Sequence, residues 1–209
     1  MKHERAGIAL ARFGLGAGPG DLKVVSSDPV GWLHQQVQPG AAQHPLLARE
    51  RTTEEGVAIN LSIRQARMDQ DERSMRQRDR REAFVHDMTR RCLVRASTKH
   101  PFIERWVAFW SNHFTVSYTD NDVLSLAGPF EREAIRPNVL GTFEELLLKV
   151  ARHPAMLVYL DNIRSIGPSS KAGQRRSQRG LNENFAREIL ELHTLCLLYT
   201  SPSPRDSIR

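Results

Sequence analysis

Apolar side chains recur along most of this chain at intervals of three and four residues, the spacing that lines one face of an α-helix. Phe102, Trp106, Phe109, Trp110 and His113 form the densest such run, so an aromatic core helix is expected to start at His100-Pro101. Phe130, Ala134 and Ile135 predict a helix from Gly128-Pro129 that Pro137 ends or kinks. Leu146, Leu147, Val150 and Ala151 predict another, which His153-Pro154 interrupts before Met156, Leu157 and Leu160 continue the buried face. A last helix carries Phe185, Ile189 and Leu192.

The polar residues between these runs mark helix starts. Asp28-Pro29 has the cap and first-turn chemistry for a short helix with Trp32, Leu33 and Val37. Thr52 with Glu55, and Thr142 with Glu145, have capping-box spacing, and Asn182 is the expected cap of the last helix. These signals make the chain all-α, an irregular multi-helix domain.

One stretch is patterned differently. From Thr52 to Ser97 there is no proline and, after Gly56, no glycine, and residues 64–84 (RQARMDQDERSMRQRDRREAF) are dense in both charge signs. One long charged helix, or a helical pair, is expected to project from the body there. Asp69 with Arg73 and Glu72 with Arg76 are one turn apart, pairs worth about 0.2–0.5 kcal/mol each. Apolar residues return at Phe84, Val85, Met88, Cys92 and Leu93, the face expected to dock, with Cys92 buried as a small apolar residue.

Composition narrows the class. The 209 residues carry a formal charge of +6, but it is dispersed and mixed in sign, which argues against nucleic acid as a partner. Two cysteines, Cys92 and Cys196, give no disulfide framework. No apolar run is long enough for a membrane span. The N-terminal MKHERAGIALARFGLG lacks a signal peptide's apolar core and cleavage site, so the sequence as given reads as cytoplasmic. GLGAGPG (Gly14 to Gly20) follows a helical turn rather than a strand and is expected to be a plain turn into Asp21, not a phosphate cradle.

The C-terminus breaks the helical pattern. Residues 196–206 (CLLYTSPSPRD), read back as codons, look like a transposase-type sequencing-library adapter. Residues 196–209 are therefore expected to be a non-native tail, and residues 1–195 the N-terminal part of an incomplete helical domain.

Five segments in order carry a resemblance: RFGLGA (Arg12 to Ala17), FWSNHFTVS (Phe109 to Ser117), AGPFEREAIRP (Ala127 to Pro137), LLLKVARHPAMLVYLDN (Leu146 to Asn162) and GLNENFAREILELHTL (Gly180 to Leu195). Together they resemble the bacterial family called domain of unknown function 1800, over nearly all of residues 6–195. The resemblance implies a helical protein longer than this chain, continuing after ELHTL with a glycine-rich GVDGGYTQ-like segment where Cys196 stands here. It also implies an exported, periplasmic or envelope-associated setting for some members, with a sulfatase-like envelope protein as partner. It brings no catalytic assignment.

Candidate chemistry lies in those segments. His113, Glu131, Glu133, Asp161, Glu188, Glu191 and His193 could hold a divalent metal ion, as carboxylates and histidines do in di-iron bundles. The Glu-x-x-His pair of such bundles is missing, and Glu188 and His193 stand about 140° apart on an α-helix. The ligands would have to converge from several helices. Separately, the loop from Ile163 to Gly180 bears Lys171, Arg175, Arg176 and Arg179 and runs into the helix start at Asn182, which together could bind an anion. The expected function is a scaffold or binding protein in an envelope-associated assembly, with the acids and arginines serving as buried ion pairs and helix caps. The alternatives are a metal-dependent enzyme, and anion or nucleic-acid binding through the Arg-rich segments.

Overall fold

Local capping starts the helices where the sequence places them. The computed structural model describes residues 2–66, 69–175 and 180–195. Thr52 accepts from the Glu55 amide while Glu55 returns to the Thr52 amide at 2.8 Å, and Thr142 and Glu145 repeat the reciprocal bond at 3.0 Å. Asp28 accepts from the Gly31 amide, and Asn182 accepts from that of Asn184. Each cap satisfies an amide that the first helical turn leaves open.

The resulting order is α1 (Lys2–Phe13), α2 (Asp21–Val25), α3 (Pro29–His34), α4 (Thr53–Gln65), α5 (Gln70–Ser97), α6 (Pro101–His113), α7 (Ala127–Pro129), α8 (Phe143–Arg152), α9 (Pro154–Tyr159), α10 (Lys171–Arg175) and α11 (Glu183–Glu188). Two π-helical stretches extend α7 and α11, at Phe130–Ile135 and Ile189–Thr194. Among the described residues there is no strand, and no helix is long and apolar enough to cross a membrane. The fold is all-α and irregular, as the periodicity requires.

The main core gathers Ile103 and Val107 of α6, Phe130 and Ile135 of the first π-helical stretch, Leu146 and Val150 of α8, and Met156 of α9. A smaller cluster of Ala6, Ala9, Leu10 and Val25, with Trp32 against it, packs α1 to α3. Arg105 of α6 ties α1 to the main core by donating to the carbonyls of Ala11 and Gly14 at 3.2 and 2.9 Å. A cation at the C-terminal end of a helix satisfies carbonyls that have no partner within it. The glycine-rich stretch after α1 is a turn, with Gly16 and Gly20 at positive φ, and it leads into Asp21 as expected.

The charged stretch is a helical pair, α4 and α5, and the expected face docks only in part: Phe84 packs against the main core and Met88 is half-buried. Arg80, Ala83, Asp87 and Val94 are buried, whereas Val85 and Leu93 are 57% and 46% exposed and Cys92 is exposed too. The buried positions keep the three- and four-residue rhythm, with Arg91 on the same stripe. That face wins because its charges meet complementary ones: Arg80 reaches Asp122, Asp87 reaches Arg132 and Arg91 reaches Glu131. The segment therefore does not simply project into solvent. Its C-terminal half is built into the body through ion pairs. Of the two pairs foreseen in its first turns, Glu72 with Arg76 forms, while Asp69 caps α5 by accepting from the amides of Asp71 and Glu72.

Two close approaches require glycine. A Cβ at Gly128 would meet the Asp87 carboxylate, and one at Gly56 would meet the Ser125 carbonyl, both closer than 3.0 Å. Gly7, within α1, faces open space. Gly128→Ala and Gly56→Ala should each cost roughly 1–3 kcal/mol in urea unfolding. Gly7→Ala should stabilise by about 0.5–1 kcal/mol through helix propensity.

Candidate functional site

Among the described residues, the π-helical stretch after α7 and the residue that follows it carry two of the most buried charges. Glu131 and Arg136 are 1% and 3% exposed, and Glu104 of α6 is 2% exposed. The Arg136 guanidinium grips Glu104 in a fork, at 2.7 and 2.8 Å, and donates from Nε to Glu131 at 2.9 Å and from Nη1 to the Ala42 carbonyl at 3.0 Å. The other oxygen of Glu131 pairs with Arg91 of α5 and accepts from the Ser111 hydroxyl at 3.4 Å. Arg95 stands 3.9 Å from it.

The pairing depends on the local backbone. Glu131 and Arg136 are five residues apart, about 140° around an ordinary α-helix. The wider π turn changes that phase and brings the two side chains together. Burial alone would raise the Glu131 pKa, but the fields of Arg91, Arg136 and Arg95 outweigh it and hold the carboxyl below its usual range. Burial likewise pulls Arg136 down, and its hydrogen bonds to Glu104 and the charge of Glu131 more than reverse it.

A second polar centre joins α4 to the break between α8 and α9. The His153 ring lies 2.7 Å through Nε2 from the Thr53 hydroxyl, and Glu133 accepts from the Thr53 amide at 2.8 Å. Thr, His and Glu in contact resemble the parts of a nucleophile relay. The hydrogen bonds assign them another role. The Ala155 amide donates to His153 Nδ1 at 3.1 Å, so Nδ1 carries the lone pair and the neutral ring holds its proton on Nε2. Nε2 then donates to Thr53, and the ring has no free base to take the hydroxyl proton. His153 caps α9 and ties it to α4. Burial pushes its pKa down to about 4, against a partial opposing pull from Glu133. An open cavity of about 590 Å³ lies beside this centre, lined in part by Lys149 and Arg152.

The candidate metal residues are distributed as follows. His113 and His193 meet: His113 donates from Nε2 to the His193 carbonyl at 3.1 Å, and the ring centroids are 6.3 Å apart. His193 is buried against Phe114, and burial, then His113, keeps its pKa below the ordinary value. Glu131 sits in the buried ion cluster, and Glu133 caps α4. Asp161, in the left-handed region at φ 57°, faces Arg164 at 3.3 Å near the surface. Glu188 and Glu191 both lie by Arg187, at 3.9 and 4.0 Å. Among the described residues, no three or more His, Cys, Asp or Glu side chains gather closely enough to hold a metal ion.

Of the candidate anion residues, Lys171 is exposed at the start of α10, and Asn182 caps α11 while donating to the Asp161 carbonyl at 3.3 Å. The Arg175 side chain, Arg176, Arg179 and the adapter-like tail lie outside the described residues. The neck of the basic loop is pinned by Ile166 on the Gly180 carbonyl and by the Asn182 amide on the Ser165 hydroxyl, both at 3.0 Å.

Residue spacing gave no sign of Glu104, Asp87, Arg91 or Thr53 as members of these centres. Each lies on a different element from its partners. The only available signal was a charged residue on an otherwise apolar helical face, as Glu104 is beside Ile103 and Val107.

Comparison with known proteins places these residues in a family context. The model of the family described as Protein of unknown function (DUF1800) matches residues 8–201. No curated protein and no solved structure matches the chain.

Arg136→Met removes the shared partner of two buried carboxylates and should destabilise the chain by about 3–5 kcal/mol in urea. Arg187→Gln, at an exposed pair, should change stability by less than about 1 kcal/mol. A histidine with a lowered folded pKa binds more protons when unfolded, so its contribution is complete above pH 6.5 and is lost as pH falls toward about 4. The loss should reach about 3 kcal/mol for His153, and His193 acts in the same direction. His153→Asn, which keeps a cap acceptor, should flatten most of that slope in unfolding curves measured across this window.

Proposed function

This chain belongs to that family, Protein of unknown function (DUF1800), and from that premise we propose that it works as a helical scaffold or binding protein rather than as a catalyst. The observation supporting this reading is that guanidinium groups hold the buried carboxylates of Glu131 and Glu104. Glu131 is held by Arg91 and Arg136, and Arg136 also by Glu104. A catalytic acid or base has to exchange protons near neutral pH. A carboxylate gripped by guanidinium groups stays ionised and is poorly suited to that task.

The surface left for recognition is aromatic. Along α6 the Phe109 ring stacks on Trp106 with centroids 5.1 Å apart, yet Phe109 remains 51% exposed. Phe143 at the start of α8 is 43% exposed beside Trp110. Exposed aromatic clusters of this kind suit a protein partner. The proposed setting is an envelope-associated assembly, with a sulfatase-like envelope protein as the partner that the family resemblance implies.

One observation favours a metal-dependent enzyme as the second reading. His113 fixes its ring by donating to a backbone carbonyl, which leaves Nδ1 available, and metal-binding histidines are commonly oriented in that way. Metal analysis of the purified protein separates the two. The scaffold reading expects no stoichiometric metal in the wild type, with His113→Ala and Glu188→Ala altering only the unfolding midpoint. Stoichiometric metal that disappears in both variants would overturn it.

A further inference from the structure

Beside the buried ion cluster lies a small cavity of about 70 Å³, walled by Arg91, Ser111, Thr115, Tyr118, Phe130 and Glu131. One water takes up roughly 30 Å³ in the liquid, so there is room for more than one. Arg91 is fixed at this wall: it pairs with Glu131 and donates from Nη1 to the Met88 sulfur at 3.4 Å. Its Nε is buried and has no acceptor among the described residues, and the same is true of Arg95 Nε. A buried guanidinium N–H with no protein acceptor calls for one from whatever occupies the cavity. The Ser111 hydroxyl is engaged with Glu131. Thr115 and Tyr118 are exposed and form the mouth, and the Tyr118 ring is held by Phe84 at 5.0 Å.

The charges here do not balance. Arg91, Arg95 and Arg136 bring three positive charges, against two negative charges from Glu104 and Glu131. The Glu131 carboxylate in the wall is already neutralised on both oxygens, by Arg136 on one and Arg91 on the other. The local field at the cavity is therefore positive. Water could accept from Arg91 Nε, whereas an anion there would also pair with the positive charge of Arg95, whose side chain is 34% exposed.

We propose that this cavity is a binding site for a small monovalent anion, a halide or a formate-sized carboxylate, held by Arg91 Nε and the hydroxyls of Thr115 and Tyr118 with Arg95 as the adjacent cation. The volume leaves no room for a nucleotide or a sugar phosphate. The anion would complete the charge pairing between α5, α6 and the π-helical stretch after α7, and would make the stability of that junction depend on anion concentration. The proposal is independent of the scaffold reading, because it concerns occupancy of an internal cavity rather than the outer surface.

The test follows the unfolding midpoint of the full chain while chloride, bromide or formate replaces gluconate at constant ionic strength. A saturable rise of roughly 3–6 °C is expected at ten times the dissociation constant. Comparison of the halide and formate series shows which source the site prefers. Arg91→Lys keeps a cation for Glu131 but removes Nε, and should weaken the anion at least about tenfold, the loss of one charge-assisted hydrogen bond. Thr115→Val combined with Tyr118→Phe changes only the mouth and should also weaken it, so the test survives if Arg91→Lys does not fold. A midpoint that is the same in gluconate and in the small anions would mean a water-filled cavity and would sink the proposal. So would a saturable effect that the mouth variant leaves unchanged.

Discussion

The architecture turns on one buried guanidinium. Arg136 holds Glu104 of α6, Glu131 of its own helical segment and the carbonyl of Ala42. Removing a charge of this kind from water costs several kcal/mol unless every donor finds a partner. Here the donors do, and that requirement fixes where α6 stands against the π-helical stretch. Glu131 then passes the constraint to α5 through Arg91. A helix with few apolar residues is thereby docked by charge together with Ala83, Phe84 and Val94.

The same logic recurs at smaller scale. His153 caps α9, and through Thr53 it also fixes the start of α4, a contact spanning 100 residues of sequence. Glu133 adds a second tie to the same amide end. Arg80 and Asn60 converge on Asp122, joining α5 and α4 to the segment before α7. In each case a polar side chain on one element satisfies an open group on another. Such contacts add little net stability one by one, but each can specify a single arrangement of short helices. Short helices need that help, since none of them is stable alone.

This bears on function through what remains free. Glu131, Glu133 and His193 are engaged inside the fold, Asp161 and Lys171 lie toward the surface, and aromatic rings on α6 and α8 reach solvent. This is the arrangement on which the proposed recognition role rests. The His113–His193 contact is the exception: His113 donates to the His193 carbonyl, the two rings stand 6.3 Å apart, and among the described residues neither is paired with a carboxylate.

The sequence by itself determined the fold class and most of the longer helices with their caps, but not α2, or α10 within the stretch expected to be a loop. Caps act over three residues and apolar periodicity over a few turns, so Thr52, Thr142, Asp28 and Asn182 could be read directly, as could the aromatic run of α6. It also marked the segments where the polar centres would form. Only the tertiary structure decided which face of α5 is buried, because the complementary charges come from residues far away in sequence. Only it paired Glu131 with Arg136, because α-helical spacing sets them on different sides and a π turn realigns them. Only it assigned the proton on His153, because the deciding bond comes from the amide at the start of α9. Local rules fix elements, whereas ion pairs and hydrogen bonds between elements depend on distances that exist only once the chain has folded.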